Sequence, residues 1–329
     1  MGARLPLSRS VIVDTDVGLD DVAAIALLAA SKAPVSLFTT TCGICRPGVG
    51  SANVHQLVSA LGMLPAACVV AGGEDRRRTA HEDWEREQQS TIASLCAELG
   101  GAEHLDAVHT QPSAEAAADA ILDVARSKAQ GTHLTVLALG ATTNLGLAAQ
   151  RDPNVFSQID EIVFVGGVRT TVPNYHHQPY NAWLDPDALR QVLRSGVPLR
   201  LIGYECYPKL PWCNALMAAR AVAGEATAAD APLSARILWR VFRSDPRQMS
   251  FDPLAVFYLE HPEAFVATES MSVRVTTGAH WRYEQCANSD APDAHDVVEL
   301  AGVALDEYAA WLTSALTQPV ADVSNCAGP

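Results

Sequence analysis

The chain has 329 residues, 49% of them hydrophobic and 18% charged, and its 23 Lys and Arg against 37 Asp and Glu give a net charge of −14. This composition specifies a well-cored globular protein and excludes a disordered one. The acidic balance argues against a nucleic-acid partner, because phosphate recognition rests on clustered Lys and Arg. In chain order, β-branched runs alternate with Ala-rich amphipathic stretches. Ser10–Val13 reads as a strand, Asp20–Ala30 as a helix, Val35–Thr40 as a strand, Ser51–Leu61 as a helix and Cys68–Ala71 as a strand. Residues 72–112 are polar and read as an irregular binding loop or surface insertion.

The rhythm resumes with a helix at Ala114–Ala129, a strand at His133–Leu139, a helix after Thr143 and a strand at Ile162–Val165. Asp185 and Pro186 supply an N-cap and a first-turn proline for a helix through Arg194, and a strand follows at Leu199–Ile202. Ala215–Ala223 and Leu233–Val241 read as helices, Met271–Thr276 and Asp296–Leu300 as strands, and Val303–Leu316 as a terminal helix. Alternation of this kind predicts a doubly wound α/β fold with a mostly parallel central sheet and a C-terminal helical elaboration. No linker or internal repeat divides the chain, so residues 1–329 are expected to form a single domain.

No stretch approaches the ~20 apolar residues of a membrane span, and the opening residues resemble neither a signal peptide nor a myristoylation motif. No membrane partner and a cytoplasmic location are expected. The eight cysteines lack the spacing of a secreted disulfide framework. Cys42 and Cys45 form a CxxC whose open readings are a redox pair, half of a zinc site or, the one preferred, two reduced thiols near the core.

The most informative segment lies between the first strand and the first helix, where Asp14, Asp16, Asp20 and Asp21 fall within eight residues. In an open α/β sheet, ligands bind at the carboxyl ends of the strands. Two like charges ~4 Å apart repel by about 4 kcal/mol at an effective dielectric near 20. A helix N-terminus offsets only about 0.3–1 kcal/mol per carboxylate. A bound cation is the simplest remedy, and an all-oxygen ligand set favours Ca²⁺ or Mg²⁺ over zinc. The spacing is not that of an EF-hand, since Ile25 stands where the bidentate Glu belongs. An apolar strand followed by Asp14 and Asp16 also resembles the opening of haloacid-dehalogenase-type phosphatases, with Asp14 as nucleophile. That family continues with Gly and Thr, whereas this chain continues with Val17, Gly18 and a further acidic pair.

Asp14, Asp16, Gly18, Asp20 and Asp21 match the D-x-D-x-G-x-D-D signature of the nucleoside hydrolases without a gap. Further segments resemble that family in the same order: Leu139 to Leu145, Val165 to Gly167, Tyr180-Asn181 with Asp185-Pro186, and Phe251-Asp252-Pro253. The resemblance implies a Ca²⁺-dependent hydrolase that splits a nucleoside, its small-molecule partner, into free base and ribose, in a chain that forms a homodimer or homotetramer. It implies that the side chains of Asp16, Asp21 and Asp252, with the backbone carbonyl of Leu139, hold calcium. Asp16 is then also the general base, Asp20 binds the ribose 2′-hydroxyl, Asn181 and Asp252 bind the 3′-hydroxyl, and Asp14 supports the cluster from behind. Trp84 and Phe251 resemble the aromatic pair that stacks the base in the purine-preferring branch, and stacking is worth about 1–3 kcal/mol per base.

Three positions depart from the family pattern. Pro179 replaces a Glu that helps bind the 5′-hydroxyl, Thr41 to Ile44 lack the usual Asn or Asp, and Asn174 is the candidate for a 5′-hydroxyl contact, with His176 and His177 nearby. Intact calcium and diol residues beside altered 5′ and base ends fit a modified nucleoside. They also fit a descendant that binds the sugar or metal without turnover, which is the alternative to the preferred reading of N-riboside hydrolysis.

Overall fold

The computed structural model describes residues 8–64, 67–73, 83–99, 112–166, 179–203, 231–245, 248, 251–265, 267–276, 282–286 and 293–317. The predicted helix Ala215–Ala223 and the site candidates Asn174, His176 and His177 lie outside them. In chain order the first elements are β1 (Arg9–Thr15), α1 (Leu19–Ala30), β2 (Val35–Thr40), α2 (Pro47–Ala60), β3 (Cys68–Ala71), α3 (Asp83–Glu98) and α4 (Ala114–Arg126). Then come β4 (His133–Ala138), α5 (Thr143–Arg151), α6 (Pro153–Phe156), β5 (Glu161–Val165), α7 (Tyr180–Leu184), α8 (Pro186–Arg194) and β6 (Leu199–Ile202). The rest comprises α9 (Leu233–Ser244), α10 (Asp252–Glu260), a 3₁₀ turn at Pro262–Ala264, β7 (Ala267–Thr276), β8 (Arg282–Cys286), β9 (His295–Gly302) and α11 (Leu305–Thr317).

Nine strands form one sheet in the order β3-β2-β1-β4-β5-β6-β9-β7-β8. Pairing is parallel from β3 through β9, and β7 runs antiparallel to both β9 and β8. Period-two alternation sends Val11 and Val13 of β1 into one core and Ile12 into the other. Helices α1, α2, α3, α9, α10 and α11 cover the first face; α4, α5, α6 and α8 cover the second. With both faces covered, the middles of the central strands are near-continuous apolar runs, as in buried parallel strands. Helix α1 is buried at every position from Asp21 to Leu28, because α9 and α10 pack over it.

The chain builds outward from β1 through β2 to β3 and then crosses back to lay β4 against the other side of β1. The strand order therefore reverses between β1 and β4, and the crevice at the carboxyl ends of these two strands is the expected place for a ligand. β1 leads Asp16 and the start of α1 there; β4 leads Leu139 and Gly140.

The segment read as irregular between residues 72 and 112 contains the 16-residue helix α3. Polar residues disguise its stripe, since only Ile92, Leu95 and Cys96 mark an apolar face. The structure also adds the edge strand β8 and extends β7 and β9 beyond the predicted spans. Among the described residues no helix is long and apolar enough to cross a membrane.

Candidate active site

The acidic segment is built around a tight turn. Val17, a β-branched residue, has φ +62°, a conformation L side chains rarely adopt and which costs of order 1–3 kcal/mol. Its amide donates to Thr15 Oγ1 at 3.0 Å and its side chain is wholly buried, so the surroundings hold the turn in place. The turn aims Asp16 across the sheet end and starts α1 at Leu19, putting Asp20 and Asp21 in the first helical turn. Asp252 occupies the first turn of α10, which begins with Pro253 just inside the helix. Two helix N-termini thus meet over the crevice, and their dipoles favour negative charge.

Carboxylate oxygens of Asp20, Asp21 and Asp252 all lie within 4.8 Å of one another. Asp21 also makes side-chain contact with both Asp16 and Asp252, which makes it the pivot of the cluster. It is held by the Gly18 amide at 2.8 Å and by the Thr15 hydroxyl. Burial and the neighbouring charge of Asp21 push Asp16 well above the ordinary carboxylate range; burial with Asp20 and Asp21 does the same to Asp252. Asp20, by burial and then by Asp21, is raised to about 8. One buried oxygen of Asp252 has no hydrogen-bond donor. Massed carboxylates, an oxygen lacking a donor and an all-oxygen donor set fit a hard divalent cation.

Asp16 is enclosed from both sides by glycine. A Cβ on Gly43 would fall 1.8 Å from Asp16 Oδ2, and one on Gly140 would fall 2.9 Å from Asp16 Cβ. The CxxC loop carries Gly43, and there Ile44 N donates to Asp16 Oδ2 at 3.0 Å while Cys45 N donates to the Asp16 carbonyl at 2.9 Å. Cys42 and Cys45 are buried, and burial pushes the Cys45 thiol up to about 12. The loop therefore cradles Asp16 through the backbone of Ile44 and Cys45.

Asp14 faces the opposite side of the sheet. Its Oδ1 accepts from Thr39 Oγ1 at 2.7 Å and from Asn144 Nδ2 at 2.8 Å, and burial raises it to about 7. It does not line the cavity, so it is badly placed for the nucleophilic role that the phosphatase reading required.

The cavity over the cluster has a volume of about 1090 Å³ and reaches from Asp16, Asp20, Asp21 and Asp252 to Trp84, Tyr180, Asn181 and Phe251. Among the described residues no Lys, Arg or His lines it. Asn181 Nδ2 donates to the carbonyls of Leu139 at 2.5 Å and Val165 at 2.8 Å, which leaves Oδ1 as its free acceptor for a ligand. The Leu139 carbonyl, expected to face a metal, keeps a second lone pair while bonded to Asn181. Trp84 and Phe251 both line the cavity, and Trp84 meets Tyr180 edge-on with centroids 5.4 Å apart. Pro179, standing where the family Glu is missing, lines the cavity too.

Several wall residues escaped sequence reasoning. Gln88 lies on α3, in the segment read as a loop. Asp245 and Gln248 approach from the end of α9, joined by a 3.0 Å bond from Gln248 Nε2 to Asp245 Oδ2. Their nearness in sequence to Phe251-Asp252 was the only available signal.

A doubly wound sheet whose switch-point crevice opens into a carboxylate-lined cavity defines an enzyme of the α/β class. The profile of the family described as inosine-uridine preferring nucleoside hydrolase matches residues 11–309, and the chain belongs to that family. It is 30% identical to an uncharacterized protein of Schizosaccharomyces pombe over 57% of this chain, spanning about three fifths (59%) of that relative's length. It is 29% identical to the non-specific ribonucleoside hydrolase RihC of Klebsiella pneumoniae subsp. pneumoniae, over 84% of this chain and 86% of the relative. Its fold is similar to a solved inosine-guanosine nucleoside hydrolase, with a TM-score of 0.72 at 18% identity, covering 95% of this chain and 99% of that one. Family membership displaces the phosphatase alternative.

Proposed function

We propose that the protein hydrolyses the N-glycosidic bond of ribonucleosides in a Ca²⁺-dependent reaction that favours purines. The observation that carries this reading is the convergence of Asp20, Asp21 and Asp252, with Asp16 in side-chain contact with Asp21, on one cavity at the β1/β4 switch. Asp16, Asp21 and Asp252, with the Leu139 carbonyl, would hold the calcium ion, and Asp20 lies close enough to Asp21 and Asp252 to add a fourth carboxylate. A calcium ion held there would supply positive charge to grip the ribose diol and to acidify a water.

Asp16 takes the proton of the attacking water, a role for which its enclosure between Gly43 and Gly140 and its bond from Ile44 hold one orientation. Asp20 accepts the 2′-hydroxyl, while Asn181 through Oδ1 and Asp252 hold the 3′-hydroxyl. Cleavage builds positive charge on the sugar, and the surrounding carboxylates stabilise that charge. Asp14, bonded to Thr39 and Asn144, keeps the end of β1 in register behind them.

Support for a purine comes from the aromatic rings of Trp84, Tyr180 and Phe251 on the cavity wall and from the fold likeness to an inosine-guanosine hydrolase. RihC, the non-specific relative, marks the broader alternative. Asn174 remains the proposed 5′-hydroxyl contact. The single nine-stranded sheet supports treating the chain as one catalytic unit, for which a homodimer or homotetramer is proposed.

The test is a panel of ribonucleosides incubated with the protein in Ca²⁺ or in chelator, with free base read by chromatography. Release of base only with calcium, fastest from purine ribosides, is expected, and Asp16→Asn should lower kcat by about 10²–10⁴-fold, the usual contribution of a general base. A folded, calcium-loaded sample that releases no base from any riboside would leave only a sugar- or metal-binding role.

A further inference from the structure

The reaction proposed above uses α3 only through Trp84, yet the inward face of its N-terminal half is polar. Glu85, Gln88 and Gln89 recur at the three- and four-residue spacing that places side chains on one helix face. The same face continues as Ile92, Leu95 and Cys96, all buried. Its apolar half seats the helix on the core, whereas its polar half reaches three other segments of the chain. Tyr180 donates its hydroxyl to Glu85 Oε1 at 2.6 Å, Leu19 N donates to Gln88 Oε1 at 3.0 Å, and Gln89 Nε2 donates to the Ile44 carbonyl.

Each of these partners adjoins a proposed site residue. Leu19 precedes Asp20, Tyr180 precedes Asn181, and Ile44 is the residue whose amide holds Asp16. Glu85 is wholly buried, and a carboxylate is costly to bury unless hydrogen bonds compensate it. A helix that served only to cover the core would gain more from an apolar residue at that position.

We infer that Glu85 and Gln89 are positioning residues, and that α3 is a brace setting the two ends of the site separately. Glu85, through Tyr180, fixes the wall against which the nucleoside binds; Gln89, through Ile44, fixes Asp16. The kinetic arm of this inference rests on the nucleoside hydrolase reading, whereas its structural arm does not.

The kinetic arm compares Tyr180→Phe, Glu85→Gln and Gln89→Leu in the full chain with calcium. The first two should raise KM about tenfold with kcat within about twofold, and Gln89→Leu should lower kcat about tenfold with KM within about twofold. The structural arm follows hydrogen exchange by mass spectrometry: Tyr180→Phe and Gln89→Leu should speed exchange of α3 amides at least about threefold relative to those of β4. If kcat and KM shift together in all three variants in step with melting temperature, or if α3 exchange is unchanged, the brace is overturned. Should the wild-type chain release no base at all, the catalytic reading fails and the exchange result alone decides the brace.

Discussion

At the scale of single residues, the site depends on how closely the backbone approaches Asp16. Gly43 has no positive φ to accommodate, so its value lies in the missing side chain, because a Cβ there would overlap the Asp16 carboxylate. Misplacing a reacting group by about 1 Å can cost about 10²-fold in rate, whereas overpacking costs about 1–3 kcal/mol in stability. Gly43→Ala should therefore leave the chain folded with a slightly lowered melting point while kcat falls about 10²-fold. Steady-state kinetics beside a thermal melt check this, and near-normal turnover would mean that Asp16 does not act from its present position. Val17 illustrates the same economy with the opposite sign. Its left-handed backbone costs of order 1–3 kcal/mol, comparable to the about 1.5–3 kcal/mol gained by burying a Val side chain, so the strained turn survives because it packs.

At the scale of elements, α5 links the end of β1 to α8 on one side of the sheet. Its Asn144 reaches Asp14, and about 200° around the helix Gly146 lets α8 approach so closely that a Cβ would lie 2.7 Å from the Ala188 Cα. Gly146→Ala gains about 1 kcal/mol of helix propensity but must push two backbones apart at about 1–3 kcal/mol. We expect a net loss of stability in chemical denaturation, with kcat per folded molecule changed less than about twofold, since the face that carries Asn144 points away from α8.

What could be read in the sequence divides along the same line. The first strand, its acidic turn and the caps of α8 are local patterns, and local patterns survive translation into structure. Helix α3 was hidden because half its inward stripe is Glu and Gln, whose partners lie 45 to 95 residues away. No periodicity signals a polar side chain whose partner is set by tertiary contact. The position of Trp84 beside Tyr180, and the approach of Asp245 and Gln248 to the cavity, depend likewise on how separate elements dock.

At the scale of the whole molecule, the net charge of −14 is unevenly spent. Asp293 sits below its ordinary value because Arg194 and Arg190 pair with it, and it gives up its contribution to stability only as pH falls below about 4, near the unperturbed Asp value. The cavity cluster works in the opposite direction. Burial raises Asp14 from 3.8 to about 7 and Asp20 from 3.8 to about 8, and Asp16 and Asp252 are raised as well. Between about pH 4 and 8 the metal-free folded chain therefore holds more protons than the unfolded one, so its stability falls as pH rises through that window. A cation binds the deprotonated carboxylates and competes with those protons. Calcium at about 100 times its Kd would stabilise by about 2.7 kcal/mol where the site is ionised, and by less at pH 5, where protons occupy it. Calorimetry in chelator should show the melting temperature declining from pH 5 to pH 8, with added calcium recovering more at pH 8 than at pH 5. A chelated protein that melts higher at pH 8 than at pH 5, or a calcium increment that is the same at both, would mean that these carboxylates are ionised without a cation and that the cluster is not built to hold one.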